Sequence, residues 1–179
     1  TDVDQELQAM IYQIVDASDA QDWTRVASYH PADDKMYFEN EIQDGTAIAN
    51  MEAVFCVRAA SVKSIEKYDI GKIEELTSLD YLKDTYGELH AYFVAIDYEV
   101  AKEGKSFYNG VNWRFCIFGQ EYGVWKMGAC HEAPVDIMTS DRVVGAAMST
   151  QDSDMQKAAM SRQARRQGAI VGSDGTVIE

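Results

Sequence analysis

No stretch of this sequence approaches the roughly 20 consecutive apolar residues that a helical membrane span requires, which excludes such a span. Basic residues are scarce: 16 Lys and Arg stand against 30 Asp and Glu, a net charge of −14. Nucleic-acid binding needs clustered Lys and Arg to meet phosphate, and residues 1–150 lack such a concentration. No nucleic-acid partner is expected. The three cysteines, Cys56, Cys116 and Cys130, are an odd count without metal-ligand spacing, so they read neither as a disulfide framework nor as a metal site. A glycine-rich phosphate loop is absent too. No cofactor is therefore expected. The few cysteines fit a reducing compartment, whereas a first residue of Thr1 rather than Met reads as a removed secretion signal or tag. Between the two, a secreted mature form is favoured over a cytoplasmic one.

What is present is an ordinary globular composition, 46% hydrophobic and 26% charged, in a chain long enough for one core and an appendage. Apolar residues at helical spacing, Leu7, Met10, Ile11, Ile14 and Val15, then Trp23 and Val26, predict a helix, a break and a second short helix capped by Asp22. The stretch 29–35, with Pro31 and paired aspartates, predicts a loop. Residues 36–39 follow as a short strand and 50–61 as a third helix. From Tyr68 the period becomes two, predicting strands near 68–77, 88–100, 106–118 and 123–132. Helices followed by an antiparallel meander make an α+β plan, with the helices covering one side of a curved sheet.

The end of the chain differs from its body. Ser153 to Gln156 form a capping box, and Arg162, Arg165 and Arg166 precede Gly168, predicting a helix near 153–167 and a small hairpin over 168–179. The expected division is a domain over 1–137 and a C-terminal extension over 138–179.

Tight turns pairing Ala101 with Ser106 and Phe118 with Val124 would sort the strands into two faces, because side chains alternate with period two. One face collects Trp113, Phe115, Trp125 and Met127 with His90 and His131. It reads as core or as the contact of a homo-oligomer. The other collects Phe93, Asp97, Tyr108, Gly110, Asn112, Arg114, Cys130 and Glu132. It reads either as a solvated sheet surface or as a site with Asp97 and Glu132 as acid and base, roughly 10 Å apart across Gly110. In the second reading Asn112 and Arg114 polarise the substrate, and Phe93, Tyr108 and Cys130 complete the ligand wall. His30, in the polar loop, reads as exposed and idle. The cysteines read as strand fillers without a context for a reactive thiolate.

The stretch DASDAQDWTRV (16–26), the YHPADD loop and GVWKM (123–127) appear in the order found in a known family. Over residues 4–137 the chain resembles SnoaL-like members of the nuclear transport factor two-like superfamily, and within it the scytalone dehydratases. The resemblance implies a cone of helices packed into a curved sheet, a pocket between them for a small cyclic or apolar molecule, and no cofactor. It matches the family's acidic helical residue to Asp19, which would stand as an acid at the pocket rim, and its small polar pocket pair to Asn112 and Arg114. Ser18 and Tyr68 replace other acid/base positions, and His90 falls on the opposite face. Two functions follow as alternatives: a pocket domain that binds a small molecule or assembles with copies of itself, and a cofactor-free lyase or isomerase.

Overall fold

The computed structural model describes residues 2–75, 78–104 and 106–132, the last two by backbone alone. The expected linker, helix near 153–167 and hairpin over 168–179 lie outside the described residues, as does the boundary near 137. Among the described residues the fold is α+β: helices packed on a four-stranded antiparallel sheet of order β1-β2-β3-β4. No described helix is long and apolar enough to cross a membrane.

Helix α1 (Val3–Asp19) begins where the Asp2 carboxylate accepts the Asp4 N–H at 3.0 Å, and buries Leu7, Ile11, Ile14 and Val15 on one stripe. The Asp22 side chain accepts the Arg25 N–H at 3.1 Å and starts α2 (Trp23–Ser28). Both helices agree with the sequence reading. The expected loop and short strand do not: residues 32–44 form α3 (Ala32–Asp44). Its cap is not local, since both carboxylate oxygens of Glu121, on a distant strand, accept the Ala32 N–H at 3.1 Å. Gly45, at φ +78°, ends α3 and leads into α4 (Thr46–Ala49).

The expected helix over 50–61 is a 3-10 turn (Ala53–Cys56) followed by strand β1 (Val57–Tyr68). Positive φ at Met51 and Ala53 interrupts any helix there. Pairing with β2 (His90–Val100), from Val57 against Val100 to Tyr68 against Ala91, outweighs the helical spacing of Val54, Phe55 and Val57. The strand expected over 68–77 ends at Tyr68. Beyond it the Asp69 carboxylate accepts the Gly71 N–H at 2.7 Å and starts α5 (Ile70–Glu74), with α6 (Asp80–Tyr86) following.

The last two strands, β3 (Gly110–Glu121) and β4 (Val124–Glu132), turn at Tyr122 and Gly123, both at positive φ as a two-residue hairpin requires. The observed β2–β3 register pairs His90 with Phe118 and Tyr98 with Gly110, one residue away from the expected pairing. A one-residue slip exchanges faces along a whole strand. His90, Tyr92, Val94, Ile96 and Tyr98 therefore share a face with Asn112, Arg114, Cys116 and Phe118, not with Trp113 and Phe115. On β4 a bulge at Gly128 separates the pair Ile117 and Ala129 from the pair Phe118 and Met127. It puts Trp125 and Met127 on the same side as Cys130.

The sheet is thus covered on both sides. On one side Tyr92, Val94, Ile96, Cys116, Phe118 and Met127 pack with Leu7, Ile11, Ile14, Trp23 and Val26. On the other Ala91, Phe93, Phe115 and Ile117 pack with Ile73, Leu79 and Leu82. The expected interface of Trp113, Phe115, Trp125 and Met127 is not one surface: the first two belong to the α5/α6 side, the last two to the α1 side, and Phe115 and Met127 are buried.

One polar contact fixes α1 against the sheet. Tyr92, with no exposed surface, donates its hydroxyl proton to the Asp4 carboxylate, which also lies 2.9 Å from the Lys67 ammonium. Those two bonds, the tyrosine's first, hold the Asp4 carboxyl below its ordinary range. A lowered folded pKa gives stability that is complete above the unfolded value of about 3.9 and lost as pH falls through the folded one. Tyr92→Phe is expected to cost about 1.5 kcal/mol at neutral pH. Because Asp4 then titrates nearer its ordinary range, the cost shrinks below about pH 4. Urea midpoints of both proteins from neutral to acid pH measure it; a cost independent of pH would refute the assignment.

Candidate functional site

Between α1, α2 and α3 and the sheet lies a partly enclosed cavity of about 160 Å³. Its wall is mostly apolar, with Ile11, Ile14 and Val15 from α1, Ile96 from β2, Phe107 from the β2–β3 connection and Met127 from β4. Six side chains with hydroxyl, ring-nitrogen, guanidinium or thiol groups also line it: Ser18, His30, Tyr98, Arg114, Cys116 and Cys130. A second, larger hollow of about 520 Å³, lined by Tyr68, His90 and neighbours, is more open to solvent. The first is the better candidate, because polar atoms converge inside an apolar wall.

Each polar group reaches the cavity for a local reason. Ser18, in the last turn of α1, is buried and donates its hydroxyl to the Ile14 carbonyl at 3.1 Å, so its oxygen offers only lone pairs. His30 follows Tyr29, the C-cap of α2, and its Nδ1 lies 2.9 Å from the Val26 carbonyl. A carbonyl can only accept, so Nδ1 carries the proton and Nε2 of the neutral ring is the acceptor. The ring rests on Phe38, with centroids 4.8 Å apart. Tyr98 packs edge-on against Phe107 at 5.4 Å. Burial raises its phenol well above the ordinary value, so it remains a donor.

Arg114, buried in the middle of β3, is held by the protein around it. Its Nη1 donates to the Ser106 carbonyl at 2.8 Å, its Nε to Cys130 Sγ at 3.2 Å, and its Nη2 to the Cys130 carbonyl at 3.4 Å. The guanidinium carbon stands 4.7 Å from the centre of the Phe107 ring. Cys116 and Cys130 face each other across β3 and β4, with sulfurs 3.8 Å apart. The hydrogen bond with Cys130, then burial, pushes the Cys116 thiol well up.

Of the residues singled out in the sequence, the structure brings Arg114 and Cys130 together at the cavity. Asp97 lies on the opposite face, partly exposed, 3.9 Å from the Lys63 ammonium. Glu132 is described by its backbone, which pairs with Arg114. Asp19 is no rim acid: its carboxylate accepts the Ala60 N–H at 2.8 Å and ties the end of α1 to β1. Asn112 has no exposed surface, and its amide is engaged with the Tyr108 N–H at 3.2 Å and the Tyr108 and Gly110 carbonyls at 2.8 Å each. It shapes the entry to β3. Tyr108 is buried in that same entry, and Phe93 stacks on Trp113 in the other core, with centroids 4.6 Å apart. The gap over Gly110 between two carboxylates is not formed.

Sequence reasoning missed His30 and Tyr98 as wall residues, and took Cys116 for a strand filler. His30 is half-buried rather than exposed, and it continues the stripe of Trp23, Val26 and Ala27 at helical spacing. That was the available signal. Among the described residues no group of His, Cys, Asp or Glu is placed to hold a metal ion. No protein-family model matches this chain, and no curated protein or solved structure matches it either.

Proposed function

We propose that the chain is a small-molecule-binding domain of the SnoaL-like kind, whose cavity takes a largely apolar molecule of about one ring bearing an oxygen substituent. The observation that carries this reading is the cavity itself, apolar on most of its wall with Tyr98, Arg114, His30 and Ser18 set into it. An apolar cavity of about 150 Å³ is large enough for benzene, and this one has comparable volume. Tyr98 and Arg114 supply donors for a hydroxyl or carbonyl oxygen, and Ser18 supplies an acceptor.

Phenol and cyclohexanone are the probes, followed by calorimetry and thermal unfolding. Binding of either at about ten times its Kd is expected to stabilise the protein by about 1.4 kcal/mol. Ile14→Phe, which fills the cavity from α1, is expected to abolish binding while the protein unfolds as cooperatively as before. Binding unaffected by Ile14→Phe, or no binding of either probe at millimolar concentration, would refute the reading.

One observation favours a second reading, a cofactor-free lyase or isomerase. With Nδ1 committed to Val26, His30 offers Nε2 as a base that could remove a proton next to a carbonyl, while Tyr98 and Arg114 stabilise the resulting oxyanion. In this version the base is the histidine and not the Asp97 and Glu132 pair. It predicts that a bound cyclic ketone exchanges its α-protons with solvent deuterium and that His30→Gln stops the exchange without stopping binding.

A further inference from the structure

The cavity contains chemistry that ligand binding does not use. Cys116 and Cys130 are direct cross-strand partners, and their sulfurs are 3.8 Å apart. A disulfide needs about 2.05 Å between sulfurs and a Cα separation of about 4.4–6.8 Å, and cross-strand partners fall within that Cα range at about 4.5–5.5 Å. The gap between the sulfurs is what rotation of the two side chains has to close. Cys130 Sγ also accepts the Arg114 Nε–H at 3.2 Å. A cationic guanidinium donor against the sulfur favours the Cys130 thiolate over its thiol.

We propose that Cys130 and Cys116 form a hydroperoxide-reactive thiol pair inside the cavity, with Cys130 as the attacking sulfur and Cys116 as the resolving one. The Cys130 thiolate attacks the terminal oxygen of a hydroperoxide. The O–O bond breaks, the alkoxide or hydroxide leaves and takes a proton from water, and Cys130 becomes a sulfenic acid, oxidised by two electrons. Cys116 then attacks the Cys130 sulfur. The S–O bond breaks, the S–S bond forms, and the departing hydroxide takes the Cys116 proton and leaves as water. Two thiols and one hydroperoxide give a disulfide, an alcohol or water, and a further water. The division of roles follows from position. Cys130 is partly exposed and bonded to Arg114, whereas Cys116 is buried and keeps its proton for the second step. The apolar wall and modest volume suit hydrogen peroxide or a small alkyl hydroperoxide.

Cys56 is an internal control. It is buried, outside the cavity wall, and burial raises its thiol above the ordinary value. Reduced protein is treated with hydrogen peroxide or tert-butyl hydroperoxide, unreacted thiols are alkylated, and intact and digested masses are read. The expected product has lost two hydrogens, contains a peptide linked through Cys116 and Cys130, and keeps Cys56 alkylated, with the pair reacting at least about tenfold faster than Cys56. In Cys116→Ala, dimedone is expected to trap the Cys130 sulfenic acid, which in the wild type is consumed too fast to accumulate. In Cys130→Ser, Cys116 is expected to be no faster than Cys56. Equal rates for the three cysteines, a link involving Cys56, or dimedone trapping as abundant in the wild type as in Cys116→Ala would each overturn the proposal. None of these readouts depends on the ligand proposed above, so either reading can fail without the other.

Discussion

Asn112→Ala is expected to lower the stability of the described domain by about 4 kcal/mol. The side chain has no exposed surface, and it makes three hydrogen bonds to backbone, one accepted from the Tyr108 N–H and two donated to the Tyr108 and Gly110 carbonyls. Alanine leaves all three backbone groups in a dry place without that partner. Each such group costs about 1–3 kcal/mol, and partial relaxation of the connection keeps the total below their sum. The effect reaches the cavity as well, because the same connection carries Phe107, over which Arg114 lies, and Ser106, whose carbonyl holds it. A urea titration should show a much lower midpoint with an unchanged slope. A loss under about 1 kcal/mol would mean that solvent replaces the amide and that the connection is not packed as described.

The second large effect is expected on the other side of the sheet. A Cβ at Gly119 would stand 2.5 Å from Tyr86 Cβ and 2.8 Å from its Cγ, closer than carbon atoms pack. The obstructing atoms lie at the root of the tyrosine, so no side-chain rotation relieves the clash. Gly119→Ala must therefore move α6 off β3, at about 3 kcal/mol. Hydrogen exchange locates the damage: amides of 79–87 are expected to lose protection well before those of α1. Uniform loss along the chain, or none, would refute this account of how α6 is seated.

The elements that the sequence disclosed are those whose signals lie within a few residues of one another. The stripe of α1, the Asp22 cap of α2 and the positions of β2, β3 and β4 along the chain needed only local spacing. Helix α3 was hidden because the group that caps it, Glu121, is 89 residues away. The strand β1 was hidden because Val54, Phe55 and Val57 have helical spacing, and only pairing with β2 decides against it. The site was less legible than the fold, for a sharper reason. Choosing its wall required the strand register, and a register wrong by one residue exchanges the two faces of a strand. Arg114 and Cys130 were found because they sit on neighbouring strands in the same phase, whereas Asp97, one strand further, changed sides. Asp19 and Asn112 were expected at the site, the first from the family resemblance and the second from its strand face, but their polar atoms are engaged by backbone at Ala60, Tyr108 and Gly110.

The bulge at Gly128 makes the inner wall unequally tolerant of different genetic changes. Met127 and Cys130 both line the cavity although they are three positions apart, an odd number that an unbroken strand would send to opposite faces. Point substitutions can therefore retune the wall one side chain at a time. Loss of the single codon at 128 would instead re-phase the strand, so that either Met127 or Cys130 leaves the wall. Variation by substitution is open to this hairpin; variation in its length is not.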